Sequence, residues 1–306
     1  MADGLVVSDD VRAALAAGRP VVALESALIA HGLPRPQNLE VATLVEATVR
    51  DGGALPATVG VIGGRLVVGL DANQLELIAC AENVRKCSRR DLPVAIANGE
   101  HGATTVAGTL AAMGLAGLRV LATGGIGGVH RGAELSFDVS ADLVELARTR
   151  AIVVAAGAKA VLDLPRTLEL LETLGVPVLG WRTDDFAAFY SGSSGLPVSG
   201  RVDSAADAAR AARAAWDLDL AKGMLLAVPP PPDSALEREE VERAVAKAVA
   251  AAAARGLRGP ALTPFLLDAV ASATGGRSLQ ANVDLLQNNA CVAAEVAFAL
   301  TREEVR

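Results

Sequence analysis

The chain has 306 residues, 52% of them hydrophobic and 21% charged, with a formal net charge of −7 at pH 7. That length can bury a substantial core, as an α/β enzyme requires. An acidic balance with 3% aromatic residues excludes the basic, stacking-rich face of a nucleic-acid binder. Cys80, Cys87 and Cys291 make neither an even disulfide framework nor a C-x-x-C pair, which fits a reducing compartment and three small buried hydrophobes. The start MADGLVVSDD lacks the basic region and apolar core of a signal peptide. The longest uncharged run, residues 102–118, is broken by threonines and glycines and is short for a bilayer span. A cytoplasmic protein without a membrane partner is expected.

In chain order, residues 6–17 read as a short helix that Gly18 ends, before the strand VVALES. Glu25 follows four apolar residues, a poor place for a solvated carboxylate, so it is either paired or catalytic. The loop IAHGLPRPQN leads to the helix LEVATLVEATVRDGG, with Asn38 as its expected cap. ATVGVIGGRLVVGL reads as a hairpin turning at Gly63 and Gly64, and Asp71 as the cap of ANQLELIAC. Arg85, Lys86, Arg89 and Arg90 then place four cations in six residues, either an anion site or solvated charge. LPVAIAN reads as a buried strand, and GATTVAGTLAAMGLAG as a helix whose N-terminus suits phosphate.

The stretch 120–163 carries the most chemistry. VLAT is a short strand entering the cluster Gly124, Gly125, Gly127 and Gly128, where backbone can approach a ligand without a Cβ. The spacing fails both phosphate fingerprints: a G-x-G-x-x-G frame from Gly125 would need glycine where His130 stands, and no G-x-x-x-x-G-K-[ST] occurs. His130, Arg131, Glu134 and Asp138 read as a functional loop. Ser140 caps the next helix, Asp142 sits in its first turn, and AIVVAAG is a strand ending near Lys159. If both strands are parallel, their C-terminal ends share an edge, and Asp138 and Lys159 could meet there.

Pro165 starts the helix RTLELLETLG, and VPVLGW is a strand. DDFAAFYSGSSGLPVSGR reads as a loop or lid. A helix over 205–220, the strand MLLAVPPPP, a helix over 236–255 and two closing helices complete the chain. Asn282, Asn288 and Asn289 interrupt the last apolar helix, so some of them face a ligand. The repeated strand–helix alternation predicts a parallel or mixed sheet with helices on both faces.

The blocks ALESALIAHGLPRPQN, VRKCSRRDLP, GATTVAGT, ATGGIGGVHRGAELSFDVSADL, AGAKAVLDL and TPFLLDAVASATGGRSLQANVDLLQNNA resemble the pseudouridine-5'-phosphate glycosidases, also called indigoidine synthase A-like proteins, over nearly the whole chain. The resemblance implies a single three-layer α/β/α domain over 1–306, with a central mixed, largely parallel sheet, assembled as a homotrimer. It implies reversible cleavage of the C–C glycosidic bond of pseudouridine 5'-phosphate to uracil and ribose 5-phosphate, through a lysine Schiff base with ring-opened ribose. By matching motifs, Lys159 in AGAK would be the nucleophile and Glu25 in ALES the proton donor. Asp138 in SFDVSAD would hold a divalent metal, Mn2+ or Mg2+. Lys86, Val106, Ser140, Ala141 and Asp142 would line the substrate, with Asn282 and His130 as further contacts. Gly192 stands about where the family commonly has a loop arginine, which puts any anion contact made there in doubt. Two other readings use the same residues: another Schiff-base sugar-phosphate lyase or aldolase, and a non-catalytic sugar-phosphate binding protein.

Overall fold

The structure, a computed structural model, describes residues 4–257 and 262–303. Strand β1 (Leu5–Val7), helix α1 (Asp9–Ala16), β2 (Val21–Leu24), α2 (Ala27–His31), α3 (Gln37–Asp51), β3 (Leu55–Ile62) and β4 (Arg65–Val68) open the chain. They are followed by α4 (Ala72–Cys80), β5 (Val84–Cys87), α5 (Leu92–Ala97), β6 (His101–Thr104), α6 (Val106–Ala116) and β7 (Val120–Ala122). Next come α7 (Ala133–Ser136), α8 (Ala141–Arg148), β8 (Ala151–Ala155), α9 (Leu164–Thr173), β9 (Val178–Trp181) and β10 (Gly200–Val202). The chain closes with α10 (Ala205–Asp217), β11 (Gly223–Ala227), α11 (Arg238–Ala254), α12 (Leu262–Ala273) and α13 (Arg277–Glu303).

The strands lie in the order β1-β4-β3-β2-β7-β8-β11-β9-β10, with β6 joined to β3 and β5 to β6. Every pairing of these strands is parallel except those of β3 with β4 and with β6. β3 makes the change possible because it is long: residues 55–58 run beside β2, and its later residues pair with β4 and β6. The expected hairpin is present, with positive φ at both Gly63 and Gly64, as a primed turn requires.

Helices cover both faces. α13 crosses β2, β7 and β8 and packs against α3 and α10, while α6 and α8 lie together, α6 on β2, β3, β4 and β6 and α8 on β11. The expected mixed, largely parallel α/β sheet is therefore the observed one. α13 holds its place because apolar residues recur at helical spacing: Ala281, Leu285, Ala290, Ala293, Ala294 and Ala297 are all buried. Leu285→Ala removes a fully buried side chain and should cost about 2–5 kcal/mol. Among the described residues no helix is long and apolar enough to cross a membrane.

Several local expectations need correction. The first predicted helix is β1 followed by α1, with Ser8 accepting from the Val11 amide as its cap. LPVAIAN is α5, with Pro93 in its first turn. So short an apolar run has no period to separate strand from helix. Asn38 is not a cap: it is buried inside α3 and donates to the carbonyls of Ile29 and Ala79, both at 2.9 Å. The segment read as a lid is anchored in the core by Phe186, Phe189 and Tyr190, all buried.

Candidate active site

β2, β7 and β8 are adjacent and parallel, so their C-terminal ends deliver Glu25, Thr123 and the turn that leads to Lys159 to one edge of the sheet. The Thr123 hydroxyl donates to Oε1 of Glu25. The amide of Lys159 donates to the Ile126 carbonyl at 3.0 Å, tying the lysine's backbone to the glycine loop after β7. Gly157, in the same turn, has φ +77°, and a Cβ there would lie 2.2 Å from the Ala187 carbonyl oxygen. Burial raises the Glu25 pKa above the ordinary carboxylate range, opposed most strongly by the Lys159 charge and then by the Thr123 hydrogen bond. The Lys159 charge thus acts on Glu25, while burial favours the protonated carboxyl.

Lys86 comes from β5. Arg85, Arg89 and Arg90 are paired with Glu100, Glu145 and Asp91, which leaves Lys86 the basic side chain of this cluster that lines the cavity without an ion pair among the described residues. Burial lowers its pKa first, the charge of Lys159 second, while Glu25 and Asp142 act in the opposite sense.

Asp142 has a different task from the one its position suggested. Its Oδ1 accepts from the Ala107 amide and its Oδ2 from the Gly127 amide, each at 2.8 Å. A buried carboxylate thereby ties the N-terminus of α6, the glycine loop and the start of α8 together. The amide at α6 expected to greet phosphate is already taken by this carboxylate. A Cβ on Gly127 would lie 2.3 Å from Oγ of Ser140, so the glycine admits a protein side chain, not a ligand as expected. Ser140 caps α8 through the Asp142 amide.

The rim is the segment from His130 to Val139, which contains α7. The His130 amide donates to the Asp138 carbonyl at 3.0 Å. Burial lowers the His130 pKa, Asp138 opposes the shift, and Lys159 and Lys86 add to it. Leu135 and Phe137 are 88% and 86% exposed, and Phe137 has φ +53°, in the left-handed region that side chains rarely adopt.

These parts enclose a cavity of about 1640 Å³. Of the residues singled out in the sequence, Glu25, Lys86, His130, Asp138, Ser140, Ala141, Asp142 and Lys159 line it. Asp138 and Lys159 share the cavity without forming an ion pair. Two expected residues are not on its wall. Val106 is the first residue of α6 and its side chain is buried in the core, so contact with a ligand is confined to its main chain. Asn282 is buried on α13 beside Gly124, with Oδ1 unpartnered. Gly192 has open space where a Cβ would stand, so packing does not demand glycine there.

Sequence reasoning missed Thr123, and it expected some of Asn282, Asn288 and Asn289 to face a ligand, whereas Asn289 serves the backbone. Asn289, 1% exposed, donates to the carbonyls of Thr123 and Gly124 at 2.8 and 3.3 Å, steadying the residue that bonds Glu25. The polar interruption of the apolar α13 singled it out in the sequence, but not the carbonyls it would meet. Among the described residues, no three His, Cys, Asp or Glu side chains form a cage for a metal. The single carboxylate of Asp138 on an open cavity wall suits only a hard ion that keeps most of its waters.

Comparison with known proteins finds matches over nearly the whole chain. The profile of the family described as "Indigoidine synthase A like protein" matches residues 10–299. A pseudouridine-5'-phosphate glycosidase of Caldanaerobacter subterraneus subsp. tengcongensis is 52% identical over 97% of this chain and 96% of its own. Another, of Chloroflexus aurantiacus, is 56% identical over 97% and 99%. Among solved structures, the prealnumycin C-glycosynthase AlnA in complex with ribulose 5-phosphate superposes with a TM-score of 0.92 at 44% identity, covering 100% of this chain and 99% of that one. An indigoidine synthase A-like protein from Thermotoga maritima gives 0.88 at 33% identity, covering 97% of each. With nearly its full length matched in sequence and in fold, the chain belongs to the indigoidine synthase A-like family, in which the pseudouridine-5'-phosphate glycosidases stand.

Proposed function

We propose that this protein is a pseudouridine-5'-phosphate glycosidase, converting pseudouridine 5'-phosphate and water reversibly to uracil and ribose 5-phosphate. The observation that carries the reading is that Glu25 and Lys159, delivered by neighbouring parallel strands, line one cavity, with burial biasing the carboxyl toward its protonated form. A C–C glycosidic bond resists direct hydrolysis because a uracil carbanion is a poor leaving group. Lys159 Nζ adds to C1' as the C1'–O4' bond breaks, O4' takes a proton, and the ribose opens. Glu25 then gives its proton to C5 of the base, and the nitrogen lone pair expels neutral uracil as the C1'=N bond of the Schiff base forms. Water hydrolyses the imine, releasing ribose 5-phosphate and restoring the amine.

Lys86, a half-buried point charge, suits the 5'-phosphate. Asp138 would hold a hydrated Mn2+ or Mg2+, which when bound supplies positive charge to anionic substrate groups. A homotrimer is part of this reading, and light scattering should give three times the 31.1 kDa chain mass. The direct test is to add pseudouridine 5'-phosphate with manganese and follow free uracil, then to treat protein and ribose 5-phosphate with borohydride. Uracil should appear and the reduced adduct should map to Lys159. Sugar-phosphate binding without uracil release, or an adduct on another lysine, would defeat the proposal.

A further inference from the structure

Two polar atoms on the Lys86 side of the cavity are buried without a partner among the described residues: Nε2 of His31 and Oγ of Ser88. Both residues line the cavity with Lys86. His31 is the last residue of α2, and α2 packs against β5. Ser88 follows Lys86 by two positions, the spacing that returns a side chain to the same face of an extended chain.

The chemistry of the pair is specific. Burial first and then the Lys86 charge lower the His31 pKa, while the Val84 backbone acts in the opposite sense. The ring is therefore neutral near pH 7, and with its one proton on Nδ1 the unpartnered Nε2 presents a lone pair. Ser88 Oγ can donate or accept. Buried groups of this kind are normally paired, and an unpaired one destabilises the protein that carries it. A lone pair needs a donor, and a phosphate dianion has none to offer. A sugar hydroxyl does.

We propose that His31 Nε2 and Ser88 Oγ form a hydroxyl subsite beside Lys86 that grips the sugar of the sugar phosphate, adjacent to the phosphate held by Lys86. The assignment rests on the sugar-phosphate reading of the cavity. It separates binding from folding, because removing an unpaired buried polar atom should relieve the free protein while weakening the complex.

The test measures ribose 5-phosphate and inorganic phosphate binding by calorimetry, with Tm, for the parent, Ser88→Ala, His31→Asn and His31→Gln. Asn keeps an amide at the depth of Nδ1 and lacks Nε2, whereas Gln carries its amide out toward the Nε2 position. Ser88→Ala and His31→Asn should each raise the Kd for ribose 5-phosphate about tenfold, the loss of one hydrogen bond. Phosphate Kd should stay within about twofold and Tm should hold or rise, while His31→Gln should recover part of the affinity. Unchanged ribose 5-phosphate binding overturns the subsite, and so does an equal loss for inorganic phosphate, which would make the pair phosphate ligands. A lowered Tm with parent-like affinity would also overturn it, since the two groups would then be structural. Lys86→Ala is the separate control: unaltered phosphate affinity there sinks the phosphate reading of Lys86, while the affinity of the His31 and Ser88 variants for ribose 5-phosphate still decides the subsite.

Discussion

Glu25, Thr123 and Lys159 stand at the ends of three neighbouring parallel strands, whereas His130 and Asp138 stand on a rim whose Leu135 and Phe137 face solvent. The floor is over-determined: Thr123 holds Glu25, Asn289 holds the Thr123 backbone, and the Lys159 amide is fastened to Ile126. The rim is fastened to itself, to Leu162 by a single antiparallel bridge at His130, and, through Glu134, to Arg166 on α9. Groups that must meet reacting atoms within fractions of an ångström sit where the sheet cannot yield, and groups that meet a hydrated ion or an entering ligand sit where the chain can adjust.

The sharpest way to break this contrast is on the floor. Lys159→Ala should abolish uracil release and the borohydride-trapped adduct together while Tm stays near that of the parent. Retained turnover would remove the lysine from the chemistry. Glu25→Gln comes next, with a loss of about 10²–10⁴ in kcat. The adduct with ribose 5-phosphate should survive, because imine formation from the free aldehyde does not need the proton delivered to uracil.

The pH profile refines the same point. Glu25 acts in its protonated form, and burial raises its pKa, so cleavage should persist above the ordinary carboxylate range and fall as pH climbs through the raised value. Thr123→Val removes a hydrogen bond that favours the charged carboxylate, so this descending limb should move to higher pH. It should vanish in Glu25→Gln. A limb that stays in place in both variants belongs to another group.

Between floor and rim, Asp142→Asn replaces one of two acceptors for backbone amides. Chemical denaturation should show a loss of about 1–3 kcal/mol, with affinity for sugar phosphate falling because α6, α8 and the glycine loop lose their common tie. Parent-like stability would show that the carboxylate is not the strut its geometry describes. The rim should give the mildest structural response: Asp138→Asn is expected to leave Tm unchanged and to raise the manganese concentration needed for half-maximal rate. Exhaustive chelation should silence the parent, and manganese should restore it.

Much of the fold was legible because long signals repeat. The alternation of strands and helices gave the sheet its class, the two glycines of the hairpin gave a turn type, and Asp71 gave a capping box that the structure contains. Lys159 and Glu25 were legible as charges beside apolar strands, and Lys86 as one of a cluster of cations. What escaped was short or dual in meaning. LPVAIA is too brief to show a period, Asn38 looks like a cap from sequence but serves two distant carbonyls, and the glycine loop looks like a ligand cradle but accommodates Ser140.

By itself the sequence determined which residues could be buried and which charges could not be left unpaired, since periodicity, turn chemistry and capping act within a few residues of chain. Only the tertiary structure decided what the polar groups face. Asp142 and Thr123 meet partners 15 to 98 residues away, and the hydrogen-bonding capacity of a side chain is the same whether a backbone amide, a carboxylate or a ligand fills it. That choice is made when β2, β7 and β8 come side by side, and local sequence carries no term for it.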